Sequence, residues 1–443
     1  MIALFLLLAA TAEPATLSTE GGTRLSIADV LSRVEAFDPV IRQRAFEQLR
    51  AEILLRRAQW NRVNGGVGLN VAYGIYDYGF GAAPRTTAVQ EIFFDRLTAN
   101  LTAQVNFPIY AGNQISGAVE AAEARATAAK LDKRSAVRDL KRAALLAYAQ
   151  LVASTEQVQI AARAAERSAS IVDLAERRKA SGLSTEADVA RARLNLLRRA
   201  EEVELRRGDQ AIAASVLRAA LVLDQDVSVI AVEPLAQIRT VQASGGGADR
   251  LEALSLRSQI LALEGDRKVA FSGWLPKLEL FGQAFYGNGS PVPAGGAAVD
   301  IGNTGLTQRF GIFSGNVSAG LRVTWTGWDF FVTRDNVARV EAERSAAEAR
   351  LAADVRTYAR ERAEAAARVE QSLRRISALA GATETAATAV RLARVRYETG
   401  NSLLTEVLDA ELEAISVEAR AVQAEYDAAS AHLDQLRAEG KEL

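Results

Sequence analysis

The 443-residue chain contains no cysteine. That excludes a disulfide framework, a thiolate metal site, a cysteine nucleophile and acylation of an N-terminal cysteine. It holds a single histidine, His432, in a helical stretch near the C-terminus, where a surface or packing role suffices. Histidine triads and polyhistidine metal sites are therefore excluded. No nucleophile–base pair or phosphate loop is found either. Gly65-Gly66-Val67-Gly68 precedes a strand instead of opening a helix. Neither an enzyme nor a cofactor is expected. Charge of one sign is lacking too: 53 Lys and Arg against 54 Asp and Glu give a net charge of −1. Without a basic field there is no argument for nucleic acid. The charges are interspersed, as on solvated helix faces. Beyond the N-terminus no apolar run reaches the roughly 18 residues of a membrane-spanning helix, so any crossing falls to strands.

The N-terminus is apolar from Ile2 to Ala10 and continues Ala10-Thr11-Ala12 before Glu13. This has the form of a signal peptide over 1–12 with an A-x-A cleavage site, although its n-region carries no Lys or Arg.

What is present is a repeat. Arg178-Lys179-Ala180-Ser181-Gly182 is followed by Asp188-Val189 and Ala192, and Arg396-Tyr397-Glu398-Thr399-Gly400 by Glu406-Val407 and Ala410. The shared pattern is R-x3-G-x5-[DE]-V-x2-A, so one structural unit is expected twice. The first repeat spans 13–240, a linker 241–250, and the second repeat 251–443. Each repeat predicts three helical blocks. In the first these are Ile27 to about Trp60 with a break at Pro39, Gly112 to Ser181, and Thr185 to about Leu223. In the second they are Leu251 to about Ser272, Phe331 to Thr399, and Leu404 to about Glu439. The middle blocks correspond to about 100 Å of helix. An Ala-rich heptad seam runs through each. In the first it is Tyr148, Leu151, Thr155, Val158, Ala162, Ala165, Ala169 and Val172; in the second, Ala366, Val369, Leu373, Ile376, Ala380, Thr383, Ala387 and Val390. Each half folds back through a glycine turn, which makes the basic object an antiparallel helical hairpin.

Four segments alternate like strands: Val67 to Tyr78, Leu97 to Phe107, Leu278 to Tyr286 and Phe313 to Thr326. Their lengths suit tilted membrane strands, and a soluble two-layer sheet gives the same alternation. A membrane barrel needs at least about eight strands, and an open sheet in lipid leaves unpaired edges. Either the sheet is soluble and covered, or several chains close it together.

Several stretches carry a resemblance to a known family. Leu275-Pro276-Lys277-Leu278 leads into a strand, and Phe107-Pro108-Ile109-Tyr110-Ala111-Gly112 leads out of one. Val407-Leu408-Asp409-Ala410 follows the second turn. With the strand–strand–long-helix order of both halves, the chain resembles the outer-membrane efflux proteins, the TolC-like channels of Gram-negative bacteria. The resemblance covers nearly all of the mature chain. It implies an α+β membrane protein forming a homotrimer. Four strands per chain would close a 12-stranded β-barrel in outer-membrane lipid, continuous with a long α-helical barrel of coiled hairpins in the periplasm. It also implies a passive duct for a tripartite efflux or type I secretion system. The partners would be a periplasmic adaptor and an inner-membrane pump of the RND or ABC type. A soluble periplasmic coiled-coil adaptor or structural protein is the alternative, although adaptors usually carry one hairpin flanked by a lipoyl-like β-domain.

The resemblance also assigns roles to the turns. Gly182 and Gly400 read as left-handed C′ residues ending helices. Around them, Leu183, Ser184, Asn401, Ser402 and Leu403 are the expected adaptor contacts. Tyr397, Glu406, Asp409 and Asp188 are expected at the closed periplasmic aperture, with Glu406 and Asp409 giving six carboxylates in a trimer. Without the resemblance, those acids read as first-turn charges that offset a helix dipole, and Thr185-x-x-Asp188 as a capping box. A basic residue two positions after the turn glycine, present in some members, is Ser402 here. Tyr73, Tyr76, Tyr78, Phe281, Phe285 and Tyr286 are candidates for an aromatic girdle, and Trp325 and Trp328 for a barrel rim.

Overall fold

The computed structural model describes residues 23–61, 63–77, 93–243, 245–246, 249–287, 309–310 and 313–442. The expected leader, Tyr78 and part of the linker lie outside the described residues. In chain order the elements are β1 (Thr23–Leu25), α1 (Ile27–Phe37), α2 (Pro39–Trp60), β2 (Asn64–Asp77), β3 (Phe93–Tyr110), α3 (Gln114–Ala180) and α4 (Glu186–Ala220). They continue with β4 (Val229–Ala231), α5 (Leu235–Ile238), β5 (Gly245–Gly246), α6 (Leu251–Phe271), β6 (Lys277–Gly287), β7 (Arg309–Phe310), β8 (Phe313–Thr324), α7 (Val332–Glu398), α8 (Leu404–Ala438) and β9 (Lys441–Glu442). Pro39 opens α2, where its missing N–H costs nothing. Both α3 and α7 have 67 residues, and both α4 and α8 have 35. Every bound of the later pair lies 218 residues after that of the earlier pair, from 114 and 332 to 220 and 438. Among the described residues no helix is long and apolar enough to cross a membrane.

The chain divides into two compact units, each drawing on both halves of the sequence. The first comprises residues up to 46, 131–254 and 352–443. Its core gathers Val30, Val34, Leu145, Tyr148, Leu217 and Leu433, all fully buried. Short elements that the sequence reading missed close this core. β1 pairs in parallel with β4, and β5 antiparallel with β9, so the stretch expected as linker is tied down. The buried Tyr148 hydroxyl donates to Leu25 O (3.2 Å) and accepts from Val232 N (3.0 Å) and Glu233 N (2.9 Å). A second knot is ionic. Arg138, 2% exposed, donates to both Glu252 carboxylate oxygens, at 2.7 and 3.4 Å. Arg250 reaches the same carboxylate at 3.3 Å and lies over the Tyr358 ring.

The predicted seam is displaced in α3. Toward the C-terminal end the buried positions are Ala161, Ala164, Ser168, Ile171 and Ala175, one residue earlier than expected. In α7 alternate seam residues, Val369, Ile376, Thr383 and Val390, are half-buried, whereas Ala366, Leu373, Ala380 and Ala387 are exposed.

The second unit comprises residues 47–130 and 255–351. Its sheet has the order β2-β3-β6-β8-β7, antiparallel throughout. The four expected strands are present, and the two-residue β7 is an addition. Register places Leu69 opposite Leu101, Leu101 opposite Tyr286, Phe107 opposite Leu280, and Leu280 opposite Leu321. Because side chains alternate, these residues share one face with Val67, Val105, Val317 and Val323. That face is uncovered: Val67, Leu69, Val317, Leu321 and Val323 are each at least 65% exposed. The opposite face carries Thr102, Gln104, Asn106, Gln283 and Ser318. The same parity corrects the girdle. Phe281 and Phe285 fall on this polar face, where Arg322 lies 4.8 Å from the Phe281 ring centroid and Gly320 leaves room for the ring. Tyr286 lies on the apolar face and is exposed. Trp325 and Trp328 are both exposed just beyond β8.

Within this unit α3 and α6 meet at backbone contact. A Cβ on Gly265 would lie 2.6 Å from Gly117 O and from Ala121 N. The strand-to-helix junctions each turn through two left-handed residues, Gly112-Asn113 (φ 59° and 67°) and Phe330-Phe331 (φ 51° and 70°). Such φ values are outliers for bulky side chains, so the second junction is strained.

Candidate functional site

The two repeated turns are built alike. Gly182 has φ 75° and Gly400 φ 84°, a region closed to most side chains. Gly182 N–H bonds Lys179 O (2.9 Å) and Leu183 N–H bonds Arg178 O (2.9 Å). Gly400 N–H bonds Tyr397 O (3.1 Å) and Asn401 N–H bonds Arg396 O (2.8 Å). Both are Schellman caps, which satisfy the last carbonyls of α3 and α7. Leu183 and Leu403 are exposed at 66% and 70%, and Asn401 is exposed too. Ser184 and Ser402 are half-buried.

The helices leaving the turns start differently. Thr185 caps α4: its hydroxyl accepts from Asp188 N (3.2 Å), and the Asp188 carboxylate accepts from Thr185 N (3.1 Å). The Thr185 hydroxyl and backbone N–H, with Ser184, hold the Asp188 carboxyl below its ordinary range. Asp188 is thus engaged in a capping box. On α8 the N-cap is Leu403, with no side-chain cap bond. Glu406 is exposed and lies 3.9 Å from Arg396. Asp409 lines an open groove of about 840 Å³ with Leu408 and Leu412 of α8 and Arg191, Arg198 and Arg199 of α4. The expected acidic wall is therefore mixed in sign within one chain.

The turns are joined by a residue that the sequence reading left without a role. Arg178, near the end of α3, donates to the carbonyls of Tyr397 and Glu398 (3.2 Å for the latter) and to Leu183 O (3.3 Å). Its guanidinium lies 4.5 Å from the Tyr397 ring centroid. Tyr397 is 3% exposed in a small core with Ile171, Ala175, Val189, Leu404 and Val407. Its hydroxyl has no hydrogen-bond partner among the described residues. Farther along the hairpins, Glu411 of α8 is buried beside Arg167 of α3 at 3.0 Å. Burial raises its carboxyl above the ordinary value, although Arg167 works against that. The only trace of Arg178 in the sequence is its place as the first letter of the repeated motif.

The family model for outer membrane efflux proteins matches residues 65–222 and 254–438. Solved structures with the same fold include the outer-membrane channel OprN, 19% identical with a TM-score of 0.74 over 94% of this chain and 89% of that one. The outer membrane protein VceC from Vibrio cholerae is 17% identical, with a TM-score of 0.73 over 94% of this chain and 96% of that one. The Campylobacter jejuni CmeC outer membrane channel is 15% identical, with a TM-score of 0.74 over 94% and 86%. Compared by sequence with the curated proteins, the chain has no significant match.

Proposed function

The chain belongs to the outer membrane efflux protein family, and from that premise we propose that three copies form a passive duct serving a tripartite efflux or type I secretion system. The sheet carries this reading. Among the described residues one face is apolar and uncovered, the other carries amides and hydroxyls beside Phe281, Phe285 and Arg322, and the outermost strands β2 and β7 each have one strand neighbour. An apolar exterior, a polar interior and the need for closure are the requirements of a barrel in lipid. Four long strands from each of three copies supply a ring of twelve, and the paired hairpins, as two repeats per chain, supply a helical barrel in the periplasm. The duct does no chemistry; an inner-membrane pump, reached through a periplasmic adaptor, selects the cargo.

In this arrangement the turns around Gly182 and Gly400 form the periplasmic mouth. Leu183, Ser184, Asn401, Ser402 and Leu403 meet the adaptor. Tyr397, Glu406 and Asp409 belong to the aperture, with Tyr397 held in the small core of its own hairpins beside Arg178. Asp188 acts there chiefly as the cap of α4. Heat-resistant trimers in outer-membrane fractions and steady conductance in planar bilayers are the expected results. A monomer recovered from the soluble periplasm would refute the reading and favour the adaptor alternative.

A further inference from the structure

Most of the groove around Asp409 has no part in a passive duct. It runs between α4 and α8, within one compact unit, and its volume of about 840 Å³ suits a small molecule. Leu194 and Leu205 of α4 and Leu408 and Leu412 of α8 give it apolar walls. Three of them, Leu194, Leu205 and Leu412, are at least 50% exposed, so no described part of the chain covers them.

Its basic groups are idle. Arg198 and Arg199 make no hydrogen bond or ion pair among the described residues, and the Arg199 Nε is buried without a partner. Arg191 has the attraction of Asp188, whose carboxylate is committed to the cap of α4. Other arginines of α4 are engaged: Arg193 pairs with Glu176, Arg206 with Glu202 and Arg207 with Glu204. The last two pairs also occupy two of the four acids that line the groove. Glu201 and Asp409 are left against three guanidinium groups. Among the described residues no cluster of acids could hold a metal ion, so the balance of the groove favours an anion as its occupant.

Solvated arginines or scattered surface leucines are ordinary when they stand alone. Here they meet on two facing walls, where an acid and a hydrocarbon body would be satisfied together. We infer that the groove between α4 and α8 is a binding site for amphiphilic anions, the class of long-chain carboxylates and sulfonates. The guanidinium groups of Arg198 and Arg199 take the acid, for which their forked donors are suited. The leucines of both helices take the apolar body. Asp409, on the α8 wall, opposes the ligand. The residues of one chain suffice, so the site does not depend on the trimeric reading.

The probe is octanoate with a diazirine near its tail, beside the corresponding amide as an uncharged twin. The full-length protein in lipid nanodiscs is irradiated with each. Labelled peptides are located by mass spectrometry, and the assembly state is read from native mass in the same sample. The acid should label residues 191–205 and 408–412 saturably, and the amide roughly tenfold less. Arg198→Gln with Arg199→Gln should weaken labelling by the acid roughly tenfold. Asp409→Ala should strengthen it, and Arg207→Gln, outside the groove, should leave it unchanged. If the double variant fails to fold, the comparison of acid with amide and the Asp409→Ala variant still decide. Equal labelling by acid and amide, or labelling that ignores Arg198, Arg199 and Asp409, would overturn the inference. Trimers whose groove stays unlabelled, because a neighbouring copy or another protein covers it, would overturn it and leave the channel reading standing. A labelled groove in a protein that is monomeric by native mass would support the site and overturn the channel reading.

Discussion

Replacing Glu252 by Gln tests the ionic knot of the first unit. The Glu252 side chain is 27% exposed and receives hydrogen bonds from Arg138 and Arg250, whose side chains are 1% and 4% exposed. Burial alone would raise its pKa. The hydrogen bond and charge of Arg138, with the charge of Arg250, outweigh burial and hold it at about 2, against an ordinary 4.5. That lowering corresponds to about 3 kcal/mol of stability near neutral pH. Between pH 4.5 and about 2 the unfolded chain binds a proton that the folded chain does not. The contribution is therefore complete above pH 4.5 and is lost as pH falls toward 2. Glu252→Gln removes the charge and leaves two buried guanidinium groups short of a carboxylate. Melting followed by circular dichroism in detergent should show a deficit of roughly 5 °C at pH 7. Comparing the two proteins at each pH cancels the other carboxylates, so the gap should close as pH is lowered through that window. A variant that melts with the wild type at pH 7, or a gap that keeps its size in acid, would refute the reasoning.

At the α3–α6 crossing, Gly265→Ala should destabilise by about 1–3 kcal/mol, since the new Cβ meets backbone atoms that cannot yield. An unchanged melting temperature would contradict that packing. At the proposed mouth, Glu406→Ala with Asp409→Ala should change conductance and weaken block by divalent cations. Unchanged conductance and block would remove these acids from the aperture, and the arginines that line the Asp409 groove would then be the groups to examine.

Long helices were legible because glycine and proline are scarce between Gly112 and Ser181 and between Phe331 and Thr399, and their ends carry recognisable caps. The seam in α3 was misplaced by one residue for a physical reason. Ala161-Ala162 and Ala164-Ala165 offer the same side chain at adjacent positions, so composition cannot choose between faces. β1 and β4 left no signal, since three-residue strands have no measurable alternation. In β6, strict alternation already set Phe281 and Phe285 with Glu279 and Gln283; grouping them by aromatic character obscured that parity. Arg178 illustrates a different limit. Its partners on the second hairpin are backbone carbonyls 219 and 220 residues away, and a carbonyl leaves no mark in a sequence.

The uncovered sheet face also bears on biogenesis. A lone copy presents water with an apolar surface and, among the described residues, two strand edges without a neighbour, the combination that templates aggregation. On the trimeric reading proposed above, the folded form has no reservoir as a free monomer, so its apparent stability depends on how many copies are at hand. Dilution should slow maturation more steeply than it would for a protein that folds alone. Low expression should lead to degraded chain in preference to a pool of waiting subunits.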